Sequence, residues 1–172
     1  MEISIKIAEK ADSIEVAKVG RETFYETWKD VNTPEDMTIY LAKAFKDETI
    51  ANELESANNT FLLAYSDSKV VGFVKLRRDR TYDEFKNEPA IEMERIYVYN
   101  DFHGKKVGKL LMDFSIEIAK RENYKWFWLG VNEFNYKALN FYKSYGFEVF
   151  GEKTFQLGEA IDTDFLMKKL LF

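Results

Sequence analysis

The sequence predicts one compact α/β domain over residues 1–172, and three observations carry that reading. A chain of 172 residues is long enough for one well-cored domain and short for two. Hydrophobic residues make up 46% of it and aromatics 16%, enough to fill a substantial core. Short runs with a period of two residues, the mark of strands, recur among longer runs with the 3.6-residue period of helices.

Taken in order, Ile3, Ile5 and Ile7 alternate as a first strand. Residues 12–30 then carry Ile14, Val16, Ala17, Phe24, Tyr25 and Trp28 in a helical pattern that ends near Asp30. Asn32-Thr33-Pro34-Glu35 opens a new helix, since Asn or Thr can cap it and proline's missing N–H costs nothing in the first turn. Residues 34–45 and 47–55 read as two short helices. Thr60–Ser66 and Lys69–Arg78 are strands around Asp67-Ser68, followed by a polar loop at 79–88 and a strand at 90–98. A helix is predicted over 104–121, a buried strand over 126–131 and a helix over 135–144. Residues 146–155 and 161–171 complete the chain as an antiparallel pair. No repeat, low-complexity tract or linker interrupts the series.

Composition excludes several kinds of chemistry. Without cysteine there is neither a disulfide nor a thiolate, and a single histidine rules out a His-rich metal centre, so no metal is expected. A net charge of −5, from 25 basic and 30 acidic residues, argues against a nucleic-acid footprint and is mildly favourable to cationic small molecules. Residues 1–10 mix charges into Ile3-Ser4-Ile5-Lys6-Ile7 and offer no apolar signal core, and no run approaches the roughly 18 apolar residues of a membrane span. The expectation is a soluble cytoplasmic protein without a membrane partner.

The richest segment is residues 91–111, where a strand breaks into a basic, glycine-containing turn that opens a helix. The first amides of a helix have no intrahelical acceptor and its dipole favours negative charge, so such a turn can hold a phosphate on backbone alone. Lys105, Lys106 and Lys109 crowd the helix start with no carboxylate before Asp113, an arrangement the dipole opposes and a bound polyanion would reverse. On Gly104 and Gly108 alone, a solvated basic turn explains the segment as well.

This turn resembles the acetyl-CoA signature Q/R-x-x-G-x-G/A of the GCN5-related N-acetyltransferases, with His103 first and Gly108 last. Two positions depart from it: His103 replaces Gln or Arg, and Lys106 replaces the first motif glycine. Backbone donors survive both changes if residue 106 keeps ordinary dihedrals and avoids the positive φ that glycine adopts freely. A second segment, Val131 to Phe147, resembles the same family's N-x-x-A-x-x-F-Y-x-x-x-G-F, with Asn135, Ala138, Phe141, Tyr142, Gly146 and Phe147 in register. Physically, Asn135 is a good N-cap, Ala138, Phe141 and Tyr145 share a helix face, and Gly146 suits the left-handed position that ends a helix. The resemblance implies cofactor contacts from Ile96, Tyr97 and Val98, from the turn His103, Gly104, Lys105, Lys106, Val107, Gly108 and Lys109, and from Asn135. It also implies that the Tyr142 hydroxyl faces the departing thiolate. As a bare tyrosine on an amphipathic helix, Tyr142 would be core.

The element order also matches that family's fold, a mixed, mostly antiparallel central sheet flanked by helices. Within the family, Thr23-Phe24-Tyr25-Glu26-Thr27-Trp28, the run Asn32 to Met37, Tyr40-Leu41 and the run Ile91 to Tyr97 resemble PaiA-type polyamine N-acetyltransferases. The resemblance implies transfer of an acetyl group from acetyl-CoA to a primary amine such as spermidine or spermine, by direct attack in a ternary complex. An alkylamine with a pKa of about 10.4 arrives as ammonium and must lose a proton. Strand alternation puts Glu92, Glu94, Ile96 and Val98 on one face and Met93, Arg95 and Tyr97 on the other. Glu94 is the favoured base and Glu92 its substitute, although a solvated acidic face would look the same. Glu22, Glu26, Glu35 and Asp36 are further candidates for holding a polyamine. The alternatives are acetylation of a protein N-terminus or another small amine, and a regulatory domain that binds acetyl-CoA without turnover. The oligomeric state stays open, a homodimer included.

Overall fold

The structure is a computed structural model that describes residues 1–172. Strands β1 (Ile3–Ile7), β2 (Asn59–Ser66), β3 (Lys69–Arg77), β4 (Ala90–Val98), β5 (Trp126–Asn132), β6 (Glu148–Leu157) and β7 (Ala160–Leu170) form one sheet in the order β1-β2-β3-β4-β5-β7-β6. All neighbours are antiparallel except β4 and β5, which run parallel. The mixed, mostly antiparallel sheet expected from the sequence is present. Five helices flank it: α1 (Ser13–Trp28), α2 (Pro34–Ala44), α3 (Asp47–Glu55), α4 (Val107–Arg121) and α5 (Tyr136–Ser144). None is long and apolar enough to cross a membrane.

The local signals act as their chemistry requires. Thr33 caps α2 by accepting from the Asp36 amide at 3.1 Å with Pro34 in the first turn, and Asn135 caps α5 by accepting from the Ala138 amide at 3.2 Å. Gly146 ends α5 with φ +84°. Each sheet face has its own core. Leu62, Val74, Ile91 and Met93 pack under α4 and α5 with Val107, Leu111 and Tyr142. Phe61, Leu63 and Phe73 pack under α1–α3 with Val16, Phe24, Phe45 and Ile50. Each such side chain contributes about 1.5–3 kcal/mol on burial, so the helices are held by the sheet and not by propensity.

Three expectations are corrected. The helix predicted from residue 104 begins at Val107, because Lys106 sits in the left-handed region with φ +66°. The last two strands keep the expected lengths but lie closer together in sequence than expected, and they meet in a tight turn where Leu157 pairs with Ala160 and Gly158 takes φ +60°. The third concerns β4. Against β3, Lys75 pairs with Arg95 and Leu76 with Met93, so Glu94 is an extra residue in a bulge. The bulge resets the alternation: Ile91, Met93, Ile96 and Val98 belong to the α4–α5 side, whereas Arg95 and Tyr97 turn to the α1–α3 side. The predicted grouping of Ile96 and Val98 with the acids is therefore wrong.

One feature of the sheet positions the site. β4 and β5 are paired only over Ala90–Glu92 and Trp126–Trp128. Beyond Glu92 they diverge, while β4 stays paired with β3 as far as Val98. The divergence leaves one edge of residues 93–98 without a strand partner and opens a cleft in mid-sheet.

Candidate active site

On one side of the cleft the donors are backbone amides. The Tyr99 amide donates to the Val71 carbonyl at 3.1 Å. Alternation along an antiparallel strand then turns the Tyr97 amide toward β3 as well, and those of Ile96 and Val98 toward the gap. Of the three amides expected to serve a ligand, Tyr97's faces away. Its side chain packs among Phe24, Phe45 and Phe73, and burial pushes its phenol far above the ordinary range.

At the end of β4 a 3₁₀ turn over Asn100–Phe102 leads into the basic turn. Gly104, Lys106, Val107, Gly108 and Lys109 donate their amides to no protein acceptor, and the first helical bond is Leu110 to the Lys106 carbonyl at 3.0 Å. Gly104 and Gly108 have nothing within 4 Å of where a Cβ would stand, so the turn is open to solvent and to a ligand. These unsatisfied amides at the head of a 15-residue helix fit a phosphate group without help from any side chain. The positive φ at Lys106 breaks the condition set from the sequence, yet its amide stays free. The chain adopts the glycine conformation with a lysine in place.

The side chains of this turn divide. Lys109 is committed to Asp113 at 2.6 Å, one helical turn on, and Asp113 also accepts from the Tyr145 hydroxyl at 2.7 Å. Lys105 lies 5.0 Å from the Phe102 ring centroid and stays exposed. His103 Nε2 lies 2.8 Å from the Val98 carbonyl, and Lys137 Nζ lies 2.9 Å from His103 Nδ1. Since an ammonium can only donate, His103 accepts at Nδ1 and donates from Nε2, tying the turn to the open edge of β4. Lys137 brings a cation that sequence reasoning missed, because the 34-residue separation hides the contact.

Across the cleft, α5 presents Asn135 and Tyr142. The Asn135 carbonyl oxygen is spent on the cap, whereas its amide nitrogen donates to nothing in the protein. Tyr142 is 6% exposed, packs on Phe141 and Phe147, and hydrogen-bonds to nothing in the protein. Burial pushes its phenol far above the ordinary range, so at rest it holds its proton.

The acidic side differs from expectation most. Glu94 Oε2 is ion-paired with Lys75 Nζ at 2.7 Å, and Lys75 also meets Glu53 at 3.1 Å, with Arg95 on Glu53 at 2.9 Å. Burial would raise the Glu94 carboxyl, but Lys75, Arg95 and Arg77 outweigh it and hold the group below its ordinary value. Glu92 is 1% exposed with Arg80 at 3.3 Å on one oxygen, while its other oxygen is buried without a partner. Burial, only partly offset by Arg80, raises its carboxyl. The two acids share a face, and each has one buried oxygen that accepts no hydrogen bond; that of Glu94 is ion-paired with Lys75, whereas that of Glu92 has no partner of either kind.

Other expected acids are also engaged. Glu22 accepts from the Tyr99 hydroxyl at 2.5 Å and Glu26 from the Asn100 amide at 2.9 Å, fixing α1 to the end of β4. Asp36 accepts from the Glu159 amide at 2.8 Å, pinning the β6–β7 turn onto α2. Glu35 is exposed.

Comparison with known proteins identifies the class to which this arrangement belongs. The acetyltransferase (GNAT) family model matches residues 21–147. The chain belongs to that family and is an N-acetyltransferase. It is 36% identical over 167 residues to an uncharacterized N-acetyltransferase of Lactobacillus delbrueckii subsp. lactis, covering 97% of this chain and 96% of that protein. It is 25% identical over 173 residues to the spermidine N(1)-acetyltransferase of Thermoplasma acidophilum, covering 98% of each. The fold matches the crystal structure of the PaiA N-acetyltransferase of Thermoplasma acidophilum in complex with coenzyme A, with a TM-score of 0.80, 24% identity and 99% of both chains covered.

Proposed function

We propose that the protein transfers the acetyl group of acetyl-CoA to the primary amine of a small polyamine such as spermidine or spermine, by direct attack in a ternary complex. The observation that carries the acyl-CoA part is the row of free amides at residues 104 and 106–109, continuous through His103 with the unpaired edge of β4. The turn and Lys137 hold the phosphates, and the Ile96 or Val98 amide donates to the thioester carbonyl as negative charge develops there. The Asn135 amide positions the cofactor arm.

Glu92 receives the proton of the incoming ammonium, directly or through water. It is the better base because burial raises its affinity for a proton, whereas Lys75 lowers that of Glu94. The freed amine attacks the carbonyl carbon, the carbon–sulfur bond breaks, the new amide nitrogen releases its second proton to the departing sulfur through water, and Tyr142 donates a hydrogen bond to that sulfur as it leaves. With its phenol raised by burial, Tyr142 acts as a hydrogen-bond donor in preference to giving up its proton. The polyamine acceptor is supported by the spermidine acetyltransferase relative and by the aromatic wall of Tyr40 on α2 and Phe155 on β6.

A second reading has its own support. Glu22, Glu26, Asp36 and Glu94 are all occupied within the protein, which removes much of the acidic trail a long polycation would follow and favours a shorter amine or a peptide N-terminus. Turnover with acetyl-CoA and a panel of spermidine, spermine, glucosamine and peptide acceptors, read by mass spectrometry, separates the two. Efficient acetylation of peptide N-termini with inert polyamines overturns the first reading.

A further inference from the structure

Asp164 was absent from every expectation drawn from the sequence. It lies on β7, opposite Asn132 of β5 and Lys153 of β6. It is 8% exposed, and its carboxylate makes neither a hydrogen bond nor an ion pair within the protein. Burial raises its carboxyl, and Lys153 offsets the effect only in part.

Lys153 is equally unusual. It is half-buried, and its ammonium forms no ion pair although Glu92 and Asp164 both feel its charge. Its position is set by Gly130, two residues along β5 from the last β4–β5 pair at Trp128. A Cβ built there would lie 2.9 Å from Lys153 Cε, 3.2 Å from its Nζ and 3.7 Å from Asp164 Oδ2. The missing side chain of Gly130 thus makes a hollow at the mouth of the splay, with Glu92 on the β4 side and Asp164 on the β7 side. Glu92 pairs with Trp128, two residues before Gly130, and one of its carboxylate oxygens is buried without a hydrogen-bond partner.

Two buried carboxylates with unspent acceptors are costly unless a cation visits. We infer that Glu92 and Asp164 form a two-carboxylate seat over Gly130 for the ammonium of the acceptor, and that the Lys153 side chain occupies this seat when no acceptor is bound. The seat explains how an amine is held beside the thioester when Glu94 is locked to Lys75. It commits to the group recognised, a primary ammonium, and leaves the rest of the acceptor to the aromatic wall. The inference rests on the acetyltransferase reading of the cleft and deepens it.

Asp164→Asn and Glu92→Gln remove one charge each without changing shape. For the best acceptor of the panel, each raises KM by about 10- to 100-fold, the range for losing one charge-assisted hydrogen bond. Acetyl-CoA affinity by calorimetry stays within about twofold, and the melting temperature does not fall, since each removes a poorly compensated buried charge. Lys153→Met lowers the amine KM. An independent measurement needs no acceptor: methylammonium chloride at about 0.2 M raises the melting temperature of Lys153→Met above that in equimolar sodium chloride, and Lys153→Met with Asp164→Asn loses the difference. An unchanged amine KM in Asp164→Asn, parallel loss of acetyl-CoA affinity and fold stability, or no methylammonium effect on Lys153→Met overturns the seat. Failure of wild-type protein to bind acetyl-CoA overturns the proposed function instead.

Discussion

The two sides of the β4–β5 splay are made of different material. On the cofactor side the donors are peptide groups: the amides at 104 and 106–109 and those of Ile96 and Val98. On the proposed acceptor side the polar groups are ionised side chains, carboxylates that accept and cations that donate, gathered from α3, β3, β4, β6 and β7. A backbone site is set by dihedral angles, so His103 and Lys106 can replace motif residues without removing a donor. A side-chain site has no such tolerance, because an unpaired buried charge costs several kcal/mol and every carboxylate must be matched or used. Substitutions should therefore act on catalysis near the splay's centre, on stability in the ion network, and only weakly in the turn.

The largest effect is expected at the point where the two sides meet. Tyr142→Phe keeps the ring that packs on Phe141 and Phe147 and removes only the hydroxyl. If that hydroxyl serves the leaving thiolate, kcat falls by about 10²–10⁴-fold while acetyl-CoA affinity by calorimetry is nearly unchanged. Near-normal kcat, with chemistry shown to be rate-limiting, would assign Tyr142 to packing.

The acceptor side should itself split in two. Lys75→Met breaks the Glu94 and Glu53 pairs and leaves buried carboxylate uncompensated, costing about 3–5 kcal/mol in urea unfolding. Glu92→Gln should instead raise the melting temperature at pH 7 while reducing kcat/KM. The pH dependence gives the sign. Glu94, with its folded value depressed, adds stability that is full above the unfolded carboxyl value and is lost as pH falls through the depressed one. Glu92, with its folded value raised, costs stability above that raised value and nothing below the unfolded one, so the advantage of Glu92→Gln disappears on acidification. Equal destabilisation by both substitutions would show that Glu92 is as well paired as Glu94.

The same contrast explains what could be read from the sequence. Periodicity and caps found every strand and every α-helix, and the free amides of the turn at His103–Lys109 were legible too, because these are local properties of neighbouring residues. The acceptor side depends on contacts across the chain: Glu53 with Arg95, Asp36 with the Glu159 amide, Asp164 beside Lys153. The bulge at Glu94 has no local mark either, and it alone reversed the faces of Arg95, Ile96, Tyr97 and Val98. Asp164 left no such signal, because its strand face mixes Asp162 and Lys168 with Leu166 and the exposed Leu170.

The smallest effect isolates backbone from charge in the turn. Lys106 holds φ +66° at the motif position where the family pattern has glycine. A left-handed lysine costs about 1–2 kcal/mol, and glycine returns roughly 0.5–1 kcal/mol of that through its greater freedom in the unfolded chain. Lys106→Gly should therefore gain up to about 1 kcal/mol, a rise of about 2–4 °C for a chain of this size. Lys106→Ala loses the same charge but keeps the strain, so it should gain nothing. If the amides hold the phosphates, both variants bind acetyl-CoA within about threefold of wild type, because an exposed lysine near a screened phosphate is worth only a few tenths of a kcal/mol to about 1 kcal/mol. A tenfold loss in both, restored at neither position by lowering the salt, would move the cofactor's recognition from the peptide groups to the Lys106 ammonium.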